Sequence, residues 1–166
     1  GLTEPGAGSD ALGAMRTSAR REGDHYILNG TKIYITNGPV ADVLLVYAKT
    51  APELGAKGIS AFIVEKNFPG FKVAQKLIKM GFRGSQTGEL VFDNCRVPAA
   101  NLVGKENEGV KIVMSGLDLE RALVAGLCVG ICERALELSV EYARTRVQFG
   151  KPIGSFQMVQ AMLAEM

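Results

Sequence analysis

The sequence is poor in the residues from which metal centres and disulfide scaffolds are built. It has one histidine, His25, and three cysteines, Cys95, Cys128 and Cys132, among 166 residues. Cys128 and Cys132 are four residues apart in an apolar run with helical spacing, which would place both on one helix face. A zinc site needs further ligands, and the histidine lies far away in the sequence. We therefore interpret these two thiols as small core residues and expect no metal site.

An excess of one charge and long hydrophobic runs are also missing. The 19 Lys and Arg residues oppose 17 Asp and Glu residues, so the net charge is +2. This balance gives no electrostatic footprint for nucleic acid and no acidic tail for a polycation. No uninterrupted apolar stretch is as long as the roughly 18 residues that a membrane span requires. Apolar residues make up 47% of the chain, which excludes disorder as its main state.

The first part of the chain has the pattern of a β domain. Residues 17–21 and 25–28 flank Glu22-Gly23-Asp24 and predict a hairpin, and Asn29-Gly30 predicts a second turn. Further runs rich in apolar and β-branched residues predict strands at 31–36, 43–49, 59–65, 71–74 and 89–93. Several short strands at this spacing indicate a barrel or a sandwich.

The pattern changes near residue 104, where long helical runs begin. Apolar residues recur along one stripe from about residue 106 to residue 144 and predict a single long helix. A second helix is expected to begin near Pro152, because proline suits the first turn of a helix. The chain starts with glycine and ends inside a helical pattern, so we expect it to be a fragment.

Two segments of the first part carry residues suited to ligand chemistry. The loop from Thr3 to Asp10 holds two glycines and a serine, which would let backbone N–H groups approach a phosphate closely. It lacks the spacing of a P-loop or a dinucleotide fingerprint, so an ordinary surface turn also explains it. Tyr34 and Thr36 lie two residues apart on one strand and share a face. That face would pack a planar ligand, or would simply belong to a half-buried strand.

Two segments of the second part also carry residues suited to catalysis or ligand binding. Glu120 lies beside Leu123 and Val124 on the long helix, where a carboxylate could act as a general base. Most helical glutamates are solvated, and that interpretation stays open. The segment from Arg144 to Gly150 could bind phosphate through arginine forks, or its charges could complement the helix dipole.

Together these segments resemble the acyl-CoA dehydrogenase family of flavoproteins. The matching stretches occur in the order and spacing of that family: LTEPGAGSD (2–10), YILNGTKIYITNG (26–38), MGFRGSQTGELVFDNCRVP (80–98), GKENEGV (104–110) and RTRVQFGKPIGSFQ (144–157). The stretch MSGLDLERALVAG (114–126) is most similar to the isovaleryl-CoA dehydrogenase branch.

The resemblance implies an α+β multidomain fragment. Residues 1–103 would be the middle β-barrel domain, which binds FAD and acyl-CoA. Residues 104–166 would be the first helices of a C-terminal four-helix-bundle domain. Members of the family are usually homotetramers, and a bacterial cytoplasmic or a mitochondrial matrix location fits such an enzyme.

The resemblance also implies a reaction. The enzyme would dehydrogenate a short or branched-chain acyl-CoA to the trans-2-enoyl-CoA, and FAD would pass the electrons to an electron-transfer flavoprotein. The alternatives are an acyl-thioester oxidase, a dehydrogenase of carrier-protein thioesters, or a fragment that is inert by itself. Some relatives of this fold bind nucleic acid, but the balanced charge disfavours that function here.

The same resemblance assigns residues of the β domain to the cofactor. Leu2 and Thr3 would contact the flavin pyrimidine edge, and Gly8 and Ser9 would line the pyrophosphate, with Ser9 also near the CoA moiety. Tyr34 would cover one face of the isoalloxazine ring, where many family members carry tryptophan.

Other residues are assigned in the same way. Thr36 would form a hydrogen bond near the flavin N5 atom. Four residues after the long helix would reach the FAD of a neighbouring subunit, the last of them at its adenosine half: Arg146, Gln148, Phe149 and Gln157. Asp118 and Arg121 match positions that contact the CoA or the acyl chain. Glu120 occupies the position at which the isovaleryl branch carries its catalytic base.

Overall fold

The computed structural model describes residues 1–166 and divides into two units, Gly1–Ser115 and Gly116–Met166. The first unit is built on a seven-stranded sheet, and the second is helical. The expected fold class, a β domain followed by the start of a helical domain, is confirmed. The domain boundary expected near residue 104 stays a prediction.

The sheet of the first unit is mixed. Its strands are β1 (Ser18–Glu22), β2 (His25–Thr36), β3 (Val43–Lys49), β4 (Ile59–Glu65), β5 (Phe71–Lys76), β6 (Thr87–Pro98) and β7 (Leu102–Val103). Their spatial order is β5-β6-β2-β1-β3-β4-β7. The β1–β3 pair is parallel and the other pairs are antiparallel. β2 therefore lies inside the sheet, between β1 and β6.

The turn predicted at Asn29-Gly30 is wrong, because β2 runs without interruption from His25 to Thr36. The register of β2 against β6 instead shifts between Leu28 and Gly30, which marks a β-bulge. At Gly30, where φ is +153°, an added Cβ would stand 2.4 Å from Thr17 Oγ1 and 2.7 Å from Thr17 Cα. Glycine is needed here for close backbone approach, not for a chain reversal.

The other strand predictions differ mainly at their ends. The strands predicted at 43–49 and 59–65 are confirmed as β3 and β4. β5 and β6 extend beyond the predicted 71–74 and 89–93, and the two-residue β7 was not predicted. Tyr26, Leu28, Val46, Phe62, Leu90 and Val97 are among the buried side chains that form the core of the sheet domain.

The helical part begins with a single long helix, α1 (Gly109–Thr145). It starts three residues later than predicted, and a Cβ added at Gly109 would stand 2.7 Å from the carbonyl oxygen of Ile59. A short hairpin, β8 (Val147–Gln148) and β9 (Lys151–Pro152), follows α1. α2 (Gln157–Glu165) does not begin near Pro152, because Pro152 belongs to β9 and a 3₁₀ turn at Ile153–Ser155 comes first. Neither helix has the length and apolar character needed to cross a bilayer.

The interpretation of Cys128 and Cys132 as core residues is wrong, since both are exposed. The β8–β9 hairpin, the 3₁₀ turn and the short α2 accompany α1 in the second unit, and many residues of the apolar stripe on α1 are exposed. Leu123, for example, is 68% exposed. Cys95, in contrast, is buried in the sheet domain, and burial raises the pKa of its thiol to about 11.

Candidate active site

The loop from Thr3 to Asp10 is shaped by its own backbone. Glu4 and Ala7 exchange hydrogen bonds between their backbone N–H and C=O groups at 3.2 and 3.0 Å, which closes a turn over Pro5 and Gly6. The Asp10 carboxylate accepts a hydrogen bond from the backbone N–H of Gly13 at 3.0 Å. The intervening Gly8 and Ser9 are exposed, so the rim of the loop is accessible from solution.

Two glycines of this loop are not required by the packing of the chain itself. A Cβ added at Gly6 or Gly8 would meet no atom within 4 Å, and neither residue has a left-handed φ. Glycine at such a position is explained when a ligand comes close to the backbone. The backbone of the loop at Gly6 and Gly8 is therefore open to a ligand from solution.

The loop is anchored to strand β2 by an ion pair that the sequence analysis did not identify. Lys32 Nζ lies 2.9 Å from Glu4 Oε1, and both side chains are buried. Burial raises the pKa of Glu4, but hydrogen bonds from Thr17, Lys32 and Arg16 outweigh it and hold the pKa below its ordinary value. Burial lowers the pKa of Lys32, and Glu4 offsets part of that shift. The sequence signal available for this ion pair was Lys32 itself, because a lysine on the inward face of a strand needs a buried partner for its charge.

The first residues of the chain are tied directly to β2. Lys32 Nζ donates a hydrogen bond to the carbonyl oxygen of Leu2 at 3.0 Å. The backbone N–H of Ile33 donates to the carbonyl oxygen of Thr3 at 2.9 Å. Leu2 and Thr3, two of the predicted cofactor residues, are thereby held beside the part of β2 that leads into Tyr34.

Tyr34 lies at a second irregularity of β2. The register against β6 shifts between Lys32 and Ile35, and Tyr34 has a φ of +59°. A bulky residue in this region is strained, and such strain is found at functional sites more often than elsewhere. The Tyr34 side chain is 65% exposed, and Thr36 is exposed as well. An aromatic face and a hydroxyl are thus both presented to solution on one strand.

Glu120 lies on α1 beside a shallow apolar pocket. The pocket has a volume of about 440 Å³. Its lining consists of Gly116, Leu119, Glu120, Leu123, Val124 and Leu127. Two further predicted residues, Asp118 and Arg121, are exposed and form an ion pair at 3.6 Å on the same stretch of helix. The second unit therefore brings one carboxylate to an apolar surface and places an arginine next to it.

The predicted residues after α1 gather at the β8–β9 hairpin. The backbone N–H of Arg146 donates to Tyr142 O, and Arg146 O accepts from the N–H of Ile153, both at 2.8 Å. Phe149 and Gly150 form the turn with φ values of +53° and +76°, and Phe149 is 92% exposed. Gln148 and Gln157 are exposed as well, the latter at the start of α2.

The structure thus places the predicted residues in three groups. One group is held on or beside β2: Leu2, Thr3, Gly8, Ser9, Tyr34 and Thr36. A second shares one stretch of α1: Asp118, Glu120 and Arg121. The third surrounds the β8–β9 hairpin: Arg146, Gln148, Phe149 and Gln157. The cofactor, substrate and catalytic roles of these residues stay predictions.

Comparison with protein families gives two matches that cover most of the chain. Residues 1–95 match the family described as acyl-CoA dehydrogenase, middle domain. Residues 107–166 match acyl-CoA dehydrogenase, C-terminal domain. The matched segments coincide largely with the sheet domain and with the helices that follow it.

Individual proteins match over almost the whole chain. It is 53% identical over 165 residues to 2-methylacyl-CoA dehydrogenase, mitochondrial, of Solanum tuberosum, covering 99% of this chain and 40% of that protein. It is 52% identical over 167 residues to isovaleryl-CoA dehydrogenase, mitochondrial, of Pongo abelii. That match covers 99% of this chain and 39% of that protein. A solved structure of the electron transferring flavoprotein of Acidaminococcus fermentans superimposes with a TM-score of 0.95 at 52% identity. The superposition covers 99% of this chain and 43% of that chain. The chain thus spans about 40% of the length of these curated relatives.

Proposed function

The chain belongs to the acyl-CoA dehydrogenase family, and from this premise we propose that it forms part of the FAD and acyl-CoA site of such an enzyme. The reaction is dehydrogenation of a short or branched-chain acyl-CoA to the trans-2-enoyl-CoA. The observation that carries the proposal is the open Gly8-Ser9 rim of a loop that is anchored to β2 beside the exposed ring of Tyr34.

The residues on and beside β2 fit a flavin nucleotide. The backbone at Gly8 is open to solution and would accept the pyrophosphate together with Ser9, and Tyr34 offers an aromatic face for a planar ring. The Thr36 hydroxyl is free to donate a hydrogen bond to the ring system. Bound FAD supplies the hydride acceptor, while the protein supplies position and electrostatics.

Glu120 is the residue that we assign to the removal of the α-proton. That proton is a poor acid, so the base must be positioned against it, and the developing enolate needs hydrogen-bond donors at the thioester oxygen. The apolar side chains beside Glu120 offer a surface against which an acyl chain would pack. Arg121 would attract the anionic CoA moiety, with Asp118 holding its guanidinium group.

The residues of the β8–β9 hairpin would complete the FAD site of a neighbouring subunit in a homotetramer. Arg146 and Gln148 provide polar groups, and the exposed ring of Phe149 provides apolar contact. The electrons would leave for an electron-transfer flavoprotein, and a mitochondrial matrix or bacterial cytoplasmic location suits this chemistry. The 2-methylacyl- and isovaleryl-CoA dehydrogenases among the relatives support a short branched acyl group.

The test is an anaerobic titration of the complete gene product that contains these residues. Isovaleryl-CoA and a 2-methyl-branched acyl-CoA are added in turn while the visible absorption band of the flavin is recorded. Rapid bleaching at one equivalent of thioester per flavin is expected with at least one of the two. Bleaching only with carrier-protein thioesters, or faster reoxidation by oxygen than by an electron-transfer flavoprotein, would favour the alternative activities. Absence of bound FAD would contradict the proposal.

A further inference from the structure

Lys32 and Glu4 form a buried ion pair to which the proposed chemistry gives no role. Lys32 is fully buried, and Glu4 is 5% exposed. Lys32 Nζ donates hydrogen bonds to Glu4 Oε1 and to the carbonyl oxygen of Leu2, both in the segment that begins the chain. The Glu4 carboxylate also accepts hydrogen bonds from the backbone N–H groups of Arg16 at 2.7 Å and Thr17 at 2.9 Å.

The pair is poorly explained by stability alone. Removing two charges from water is costly, and apolar residues of similar volume often stabilise a fold at least as well. What the pair does fix is geometry, because its hydrogen bonds reach both ends of the segment from Leu2 to Thr17. An apolar pair could fill the same space but would not set the position of the Leu2 carbonyl group.

The segment fixed in this way is the one that we assign to the flavin edge. Thr3 O accepts from the N–H of Ile33, one residue before the strained Tyr34. Lys32 therefore holds Leu2 from the core side, while Tyr34 presents its ring two positions further along the same strand. A shift of the Leu2–Thr3 backbone would change its distance from any ring held at Tyr34.

We propose that Glu4 and Lys32 are positioning residues of the cofactor site, which set the place of the Leu2–Thr3 backbone against the pyrimidine edge of the flavin. They touch neither substrate nor cofactor and act through the backbone that they hold. The inference rests on the proposed function, since it assumes that this loop binds FAD.

The test compares FAD binding in the complete gene product and in its double variant Glu4→Gln/Lys32→Met. The double variant removes both charges together and leaves no unpaired buried ion. We expect it to fold, to bind FAD about tenfold more weakly or worse, and to show altered visible absorption and circular dichroism of the flavin. Amide hydrogen exchange at Ile33 should also become faster, because its partner Thr3 is no longer held in place.

Val97→Ala provides the matched control for lost stability. Val97 is buried and pairs with Tyr26 at the opposite end of β2 from the loop. This variant should lower the melting temperature while its folded fraction binds FAD with unchanged affinity and an unchanged flavin spectrum.

The possible outcomes separate the two proposals. If the unmodified protein binds FAD and the double variant matches it in affinity, spectrum and Ile33 exchange, the positioning role is overturned and the proposed function stands. If Val97→Ala perturbs the flavin as strongly as the double variant, the effect is one of general stability and the positioning role is again overturned. If the unmodified protein binds no FAD, the proposed function fails and this inference fails with it.

Discussion

The hydroxyl of Tyr26 donates a hydrogen bond to the carboxylate of Glu106, which lies 80 residues further along the chain. The Tyr26 ring packs edge-on against Phe62 with centroids 4.9 Å apart. The guanidinium group of Arg21 lies 5.9 Å from the Tyr26 ring centroid, and its nitrogen lies 3.7 Å from Glu106. The cluster ties the β1–β2 hairpin to the segment that leads into α1.

This contact predicts an alkaline limit to stability. Burial, with a further contribution from Glu106, raises the pKa of Tyr26 from 10.0 to about 12. A raised pKa means that the folded state favours the neutral phenol. The stability that the neutral Tyr26 phenol contributes to the folded state is therefore complete below pH 10 and is lost as the pH rises towards 12. Ultraviolet titration of phenolate absorption should show a late step that Tyr26→Phe removes. If Tyr26→Phe instead removed a phenolate step near the ordinary tyrosine pKa, the assignment of the raised pKa to Tyr26 would be wrong.

Gly30→Ala should destabilise the sheet domain by about 1–3 kcal/mol, because the new Cβ would collide with Thr17. Urea denaturation of the variant measures this loss. Gly23→Ala is the matched control, since Gly23 also has a positive φ but has open space around its Cβ position. That control should lose only about 1 kcal/mol from backbone strain. Equal losses in the two variants would show that crowding against Thr17 is unimportant.

Phe149→Asn should separate stability from cofactor binding at the β8–β9 hairpin. Phe149 has a φ of +53°, a conformation that asparagine adopts more easily than phenylalanine. Relief of this strain should raise the free energy of unfolding by up to about 1 kcal/mol. FAD affinity should fall at the same time, because the exposed ring is lost. Calorimetry and FAD titration of the complete gene product measure both, and a variant with unchanged FAD affinity would remove Phe149 from the proposed site.

Glu120→Gln should leave FAD bound while lowering turnover by about 10²-fold or more, as expected for loss of a general base. Glu133→Gln is a suitable control, since Glu133 lies on the same helix, is also exposed and does not line the pocket beside Glu120. Steady-state turnover with an electron-transfer flavoprotein distinguishes the two variants. Near-normal turnover of Glu120→Gln would place the base elsewhere.

The sequence predicted those parts of the fold that depend on local pattern. β3 and β4 end where their apolar, β-branched-rich runs end, and α1 follows its apolar stripe to within a few residues. Asn29-Gly30 misled because a bulge and a hairpin turn both favour glycine, and only the approach of Thr17 from a separate strand distinguishes them. The exposure of Cys128 and Cys132 depends on what packs against α1, which spacing along the helix does not reveal.

The candidate site was predictable where residue type carries the chemistry and was not predictable where tertiary contacts carry it. Residue type and spacing singled out Glu120, Tyr34 and the glycine loop, and the resemblance to the family assigned their roles. The pairing of Glu4 with Lys32 joins two segments that are distant in sequence, and the positive φ of Tyr34 arises from the register of β2 against β6. Periodicity can mark Lys32 as an inward-facing lysine, but it reveals neither its partner Glu4 nor the backbone conformation of Tyr34.

The position of β2 inside the sheet also has a consequence for the order of folding during synthesis. β1 and β2 pair across a tight turn, but the other neighbour of β2 is β6, and three further strands precede β6 in the chain. At typical synthesis rates, β6 leaves the ribosome on the order of several seconds after β2. Through that interval one edge of β2 has no partner strand, and an unpaired edge of this kind is a template for aggregation.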